Sequence, residues 1–242
     1  MNILLTNDDG ISSELLKGLY HSLKFLGHNA TIVAPSDNKS AVSHSVTLHK
    51  PISVVKIEDD IYSVDGTPVD CVYLSVYAIL KKKPDLLISG INFGPNFGDD
   101  VIYSGTVAAA REGYMRGIKS IAVSLLSGNN VSYSSVIQTI TPILTELSNY
   151  PLDSYFFNVN IPNIANLTPQ YHFTHLSKRK WEDEVSFLTK EHNIQYYAIG
   201  GSESQNATPI GSDADILKKG KISVTPITDN YTDFGFLKKV IK

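Results

Sequence analysis

Two adjacent carboxylates, Asp8 and Asp9, follow the short apolar run Ile3-Leu4-Leu5 and precede Gly10. Buried parallel strands that end in turn chemistry read this way. In open α/β sheets ligands bind at the carboxyl ends of strands, near the point where strand order reverses. Paired acids at that edge are suited to a hard divalent cation. Two carboxylates about 4 Å apart repel by roughly 4 kcal/mol at an effective dielectric near 20, and a cation reverses the sign. Oxygen ligands from Asp and Asn select Mg²⁺ or Mn²⁺ over Zn²⁺. Asn7-Asp8-Asp9-Gly10 is equally ordinary turn material. The metal reading therefore depends on what else reaches the same edge.

Three other segments are expected there. The strand Asp85–Ser89 delivers Gly90-Ile91-Asn92, so Asn92 can meet the two acids across one crevice. The strand Ala30–Val33 leads into Ser36–Ser40, where the Ser40 hydroxyl can complete a cation shell. On its own, Ser40 is an ordinary surface-loop serine. The stretch Asn92–Gly98 is followed by Ser104-Gly105-Thr106. Its glycines let backbone approach a ligand, and the free amides of the helix it opens form a phosphate cradle. A plain capped helix after a long loop has the same signature.

Other features carry less. His44 and His49 read as ordinary loop or strand histidines, and Lys178-Arg179-Lys180-Trp181 as a solvated charged turn. Cys71 lies inside a predicted helix and reads as packing. The sequence has no G-x-x-x-x-G-K-[ST], G-x-G-x-x-G or G-x-S-x-G motif. That removes the simplest triphosphatase, dinucleotide-binding and serine-hydrolase readings.

The elements that position these residues follow from pattern. Leu15, Leu16, Leu19, Leu23 and Leu26 recur near a 3.6-residue period, with Ser12 or Ser13 as cap and Gly27 as stop. Strands are predicted at 3–5, 30–33, 52–57, 61–64, 85–89, 121–124 and 155–161. Helices are predicted at 68–80, from Ser104 to Tyr114, and at 131–148. Residues 36–50 and 90–102 read as loops. Strands alternating with helices predict an α/β fold, a Rossmann-like doubly wound and mostly parallel sheet. After about residue 165 the rhythm breaks. Tyr196–Ile199 and Ile222–Thr225 read as C-terminal hairpins or arms. The expected organisation is one domain over 1–242, with a core of about 1–165 and extensions over about 166–242.

Composition limits the partners. The 242 residues carry a formal net charge of −3, which argues against a nucleic-acid groove. An acidic protein that binds phosphate needs a local source of positive charge, and a bound cation supplies one. The single cysteine allows no intrachain disulfide. The run 3–5 is too short for a membrane span or a leader. The expectation is a cytoplasmic protein with no membrane partner.

The chain resembles the SurE family, the survival-protein E 5′-nucleotidases. The resemblance is carried by Ile3-Leu4-Leu5-Thr6-Asn7-Asp8-Asp9-Gly10, Ala34-Pro35 through Asn38-Lys39-Ser40, Gly66–Cys71, Ser89–Asn96 and Tyr103–Val107. Weaker matches are Gly211-Ser212-Asp213 and Ser223–Pro226. The resemblance implies a divalent-cation phosphatase acting on nucleoside 5′-monophosphates, with 3′-monophosphates and polyphosphate also within the family's range. It implies a homodimer or homotetramer built by C-terminal arms. By matching position it gives one cation, Mg²⁺ or Mn²⁺, to Asp8, Asp9, Ser40 and Asn92. It places Asn96, Ser104, Gly105 and Thr106 around the phosphate. Asp8 and Asp9 are the expected catalytic residues, with one of them positioning or deprotonating an attacking water, or Asp8 forming a phospho-aspartyl intermediate. The loop Asn38-Lys39-Ser40-Ala41 departs from the Gln and Gly common beside that Ser.

Two other readings start from paired acids after a first strand. A phospho-receiver module needs a third Asp at the end of a later strand, where this chain has Ser89-Gly90-Ile91-Asn92. A haloacid-dehalogenase-type phosphatase needs an Asp two residues after the nucleophile, where this chain has Gly10.

Overall fold

The structure, a computed structural model, describes residues 1–151, 154–178, 181–203 and 208–240. Its first strand, β1 (Asn2–Thr6), is flanked by two parallel neighbours, β2 (Asn29–Pro35) and β5 (Leu86–Phe93). Leu5 is in register with Ile32 on one side, and Thr6 with Ser89 on the other. Beyond β2 lie β4 (Ile61–Val64) and, antiparallel to it, β3 (Val54–Glu58). Beyond β5 lie β6 (Lys119–Leu125) and β7 (Phe156–Ile161), both parallel. The chain thus winds one way from β1 to β2 and the other way from β5 to β7. The reversal falls between β1 and β5.

The strands are apolar on both faces because both faces are covered. Ile3 and Leu5 join the core beneath α1 (Glu14–Phe25) and α4 (Tyr133–Leu147). Leu4 points the other way, into the core beneath α2 (Pro68–Leu74) and α3 (Gly105–Met115). The same alternation divides Leu86 and Ile88 from Leu87. This is the period of two that a strand imposes, with each side chain finding a helix. Ser13 caps α1 by accepting from the Leu16 N–H, as the sequence predicts for one of its two serines.

Three elements differ from the pattern that the sequence predicts. The predicted helix 68–80 is α-helical only to Leu74 and continues as a π-helical turn over Ser75–Ile79. The region 90–102 is not all loop: β5 runs on to Phe93, and Gly98–Ile102 form a 3₁₀ turn. The late segment Ile222–Thr225 belongs to no arm. After β8 (Tyr171–Phe173), β9 (Trp181–Glu191), β10 (Ile194–Glu203) and α5 (Asp213–Lys218), the strand β11 (Ile222–Ile227) enters the main sheet antiparallel to β7. Its buried residues, Ile222 and Val224 among them, continue the core. Tyr196–Ile199 does lie in a hairpin, the separate two-stranded ladder of β9 and β10. A short helix, α6 (Phe234–Val240), follows. Arg179 and Lys180 lie outside the described residues.

Residues 36–50 have no regular structure yet are tied down along their length. Lys39 N–H donates to the carbonyl of Asp8 at 2.7 Å, and Ser43 N–H to that of Tyr103 at 2.9 Å. His44 Nε2 meets the buried Glu112 carboxylate at 3.0 Å. At the far end Asp70, 2% exposed, accepts from Thr47 N–H, Thr47 Oγ1–H and Thr67 N–H. The last bond is half of a capping box that starts α2. One carboxylate therefore caps a helix and anchors a loop. Replacing Asp70→Ala leaves three donors unmatched and should cost roughly 2–4 kcal/mol. Urea denaturation reads that loss, and limited proteolysis should then cut within 38–50. Unchanged stability would show that the loop is held elsewhere.

Candidate active site

Asp8 and Asp9 leave the carboxyl end of β1 at the reversal point, where open α/β sheets bind ligands. Asn7 shapes the turn: its side chain donates to the Gly10 carbonyl and accepts from the Gly10 N–H. Asp8 is buried and aimed at the start of α3. Its Oδ1 accepts from Thr106 Oγ1–H at 2.6 Å and its Oδ2 from Thr106 N–H at 3.1 Å. A helix N-terminus favours an anion because its first amides are unpaired and its dipole is positive there. Here part of that place is taken by the protein's own carboxylate. Ser104 caps α3 by accepting from Val107 N–H. The Gly105 N–H has no protein acceptor among the described residues. A Cβ at Gly105 would come within 3.0 Å of Asp8 Cβ and 3.1 Å of Asp8 Oδ2, so a side chain there would push the two segments apart by a few tenths of an ångström.

Asp9 turns toward β5, and its Oδ2 accepts from Phe93 N–H at 3.0 Å. That amide reaches Asp9 because β5 bulges. The ladder with β6 shifts register between Ser89 and Asn92. Gly90 permits the shift, with φ +136° and Val123 O only 2.2 Å from where a Cβ would stand. A bulge re-aims the residues that follow it. Asn92 is one of them: its Nδ2 donates to the Gly94 carbonyl at 2.8 Å, which leaves Oδ1 with no protein donor among the described residues. Ser40 directly follows Lys39, which is bonded to Asp8, and its hydroxyl donates to Asn38 Oδ1 at 2.7 Å. The four oxygen-bearing residues thus come from β1, β5 and the 36–50 loop, each bonded to a neighbour of another or adjacent to one that is.

Asn96, expected beside the phosphate, is held in place by several hydrogen bonds. It is buried, its Nδ2 donating to Ser124 Oγ at 2.8 Å and its backbone N–H to Asn160 Oδ1 at 2.9 Å. Its carbonyl accepts from both Asn158 and Asn160. These two asparagines were not singled out from sequence. The signal was there: polar residues at alternate positions of the otherwise apolar strand Phe156–Ile161 need partners. Thr106 as a partner of Asp8, and Asp70 as a loop anchor, were also not foreseen. Burial, and then the neighbouring Asp70 charge, push the Cys71 thiol up, which fits packing and not nucleophilic chemistry.

Electrostatics supports a cation. Burial lifts Asp8 to about 6 against the bonds from Thr106, with the charge of Asp9 adding to the rise. Burial also lifts Asp9, partly offset by the Phe93 N–H. Among the described residues no Lys or Arg forms an ion pair with either. No three His, Cys, Asp or Glu side chains converge as a metal cluster among the described residues. The donor set is instead two acids with a hydroxyl and an amide oxygen, the chemistry of a hard cation and not of zinc. Two desolvated like charges without a protein counter-charge fit such an ion.

A family model described as "Survival protein SurE" matches residues 3–183. A relative named 5′-nucleotidase SurE from Geotalea uraniireducens is 39% identical over 245 residues, covering 99% of this chain and 98% of its own length. One of the same name from Campylobacter concisus is 38% identical over 250 residues, covering 98% and 96%. The crystal structure of the SurE protein from Aquifex aeolicus superposes with a TM-score of 0.87 at 37% identity, covering 99% of this chain and 98% of that one. On the family model and these relatives, this chain belongs to the SurE family.

Proposed function

We propose that the protein is a 5′-nucleotidase, a divalent-metal-dependent phosphomonoesterase that converts nucleoside 5′-monophosphates to nucleoside and phosphate. The observation that carries this is the buried Asp8, clasped by Thr106 beside Asp9 with no cationic side chain among the described residues to neutralise the pair. The relatives named 5′-nucleotidase SurE supply the substrate class. Family membership leaves no support for the receiver-module or haloacid-dehalogenase readings.

Asp8, Asp9, Ser40 and Asn92 would hold one Mg²⁺ or Mn²⁺. When bound, that ion supplies Lewis acidity toward a phosphoryl oxygen and a water of lowered pKa. The chain's own groups divide the remaining work. Asp8 has both oxygens engaged by Thr106, so it is fixed in place and suited to holding charge. Asp9 has one oxygen bonded to Phe93 and, among the described residues, no protein donor to the other, so it is the better placed to orient or deprotonate a water. The Gly105 amide and the N-terminal end of α3, capped by Ser104, attract the phosphate oxygens. Asn96 fixes the loop beside them and keeps a second amide hydrogen for the same purpose. Activity on 3′-monophosphates and polyphosphate belongs to the same proposal.

The assembly proposed is a homodimer or homotetramer. The β9–β10 hairpin exposes Val185, Phe187, Leu188, Tyr197 and Ile199, the last at 90%. Contiguous apolar surface of this kind marks an interaction site. Among the described residues no helix is long and apolar enough to cross a membrane. The one cysteine is buried and unpaired. A cytoplasmic setting fits this reading.

Phosphate release from a nucleotide panel should require Mg²⁺ or Mn²⁺ and stop with EDTA. Asp9→Asn should abolish it and Mn²⁺ binding while leaving the circular dichroism spectrum intact. Surviving activity would remove Asp9 from the mechanism. Light scattering should return a dimer or tetramer, and a monomer would end the assembly proposal. Stability supplies a third check. The folded pKa of Asp8, about 6, stands above the ordinary 3.8, so the folded state keeps a proton that the unfolded chain has released. With EDTA present, stability should therefore fall as pH rises from about 4 to 6, by roughly 3 kcal/mol for two pKa units. Asp8→Asn should flatten that slope, and an unchanged slope would show that another group is responsible.

A further inference from the structure

Beside Asp9 lies a cavity of about 260 Å³, lined by Asp9, Ser13, Glu14, Leu15, Phe93 and Tyr133. From its walls we infer that this cavity is the nucleobase subsite, that Phe93 and Tyr133 stack on the base, and that Glu14 selects for guanine. The inference rests on the 5′-nucleotidase reading and adds the specificity of the same site.

Phe93 and Tyr133 meet edge to face at 6.4 Å, at the ends of β5 and the start of α4. Large aromatic residues gain by burial, yet these remain 42% and 37% exposed at the cavity. An aromatic face left open in a concave site is a platform for a flat ligand, and base–aromatic stacking tolerates any base. The cavity floor is the buried Leu15. The Phe93 N–H donates to Asp9, and Asp9 itself lines the cavity, so the rings neighbour the paired acids. A ligand whose phosphate lies at Asp8 and Asp9 can reach these rings with its other end.

The polar groups set orientation and choice. Glu14 is exposed, opens α1 and has no protein partner among the described residues. Its negative charge repels phosphate, so the phosphate goes to the α3 end and the neutral base to this end. A carboxylate accepts hydrogen bonds and donates none. Guanine offers it two neighbouring donors, N1–H and the exocyclic N2–H, in a bidentate match. Adenine offers an amino group next to a ring lone pair, which faces the carboxylate unfavourably. A site that pairs a base edge rejects an edge that leaves its charge unmatched. Ser13 accepts from Leu16 N–H, which leaves its hydroxyl hydrogen for a ribose oxygen.

The test compares kcat/KM for GMP, AMP and ribose 5-phosphate, which carries the sugar phosphate without a base. The wild type should prefer GMP over AMP, and both over ribose 5-phosphate. Phe93→Ala and Tyr133→Ala should each shrink the preference for nucleotides over ribose 5-phosphate roughly tenfold. Phe93→Tyr, which keeps the ring, should retain it. Glu14→Gln should bring the GMP-to-AMP ratio toward one. An unchanged nucleotide preference in both alanine variants would overturn the subsite, and a wild type that prefers AMP would overturn the role of Glu14. Titration with guanosine, which has no phosphate, separates this from the parent reading. Guanosine bound by the wild type and weakened by Phe93→Ala, with no hydrolysis of any substrate, would leave the subsite standing and end the nucleotidase reading. Guanosine bound equally by both proteins would end the subsite.

Discussion

The site depends on holding two like charges side by side in a buried crevice. Asp8 and Asp9 are adjacent in sequence, so the fold cannot separate them far. It orients them apart instead. Asp8 is drawn to the first turn of α3 by Thr106, and Asp9 to the bulge of β5 by Phe93 N–H. Each carboxylate thus receives hydrogen-bond donors but, among the described residues, no full positive charge. Such bonds soften the cost of desolvation without cancelling it. The remaining cost is an electrostatic deficit that a small, hard cation would remove.

Much of the surrounding architecture serves that arrangement. The reversal of winding between β1 and β5 opens the crevice. Gly105 brings α3 within contact of Asp8, and Gly90 lets β5 bulge toward Asp9. The irregular 36–50 segment is held by backbone and side-chain bonds to Asp8, Tyr103, Glu112 and Asp70, so Ser40 is presented from a fixed frame. Asn158 and Asn160 do the same for the loop at Asn96. Polar residues buried in these positions hold the loops in place, which apolar residues cannot do with direction.

Legibility in sequence followed the range of the interaction. The core of the sheet was readable because Ile3–Leu5 and Leu86–Ile88 carry the unbroken apolar pattern of strands covered on both sides, and a winding rule supplied their neighbours. Asp8, Asp9 and Asn92 were placed at one crevice by the same rule. The details that depend on contacts distant in sequence were not readable. Nothing in Ile222–Thr225 alone distinguishes an arm from a strand added beside β7, since the choice is made by a partner more than sixty residues away. The amides at the start of α3 looked open to phosphate because nothing local reveals that Asp8, 98 residues earlier, takes one of them.

Phe93 joins two tasks through different parts of one residue. Its amide holds Asp9, and its ring faces the neighbouring cavity. The amide is supplied by almost any amino acid, whereas the ring is a choice. Substitution at this position can therefore redraw which substrates are accepted while the carboxylate keeps its tether. A fold that carries its chemistry on main chain and its preferences on side chains can diversify among relatives without rebuilding the reaction centre.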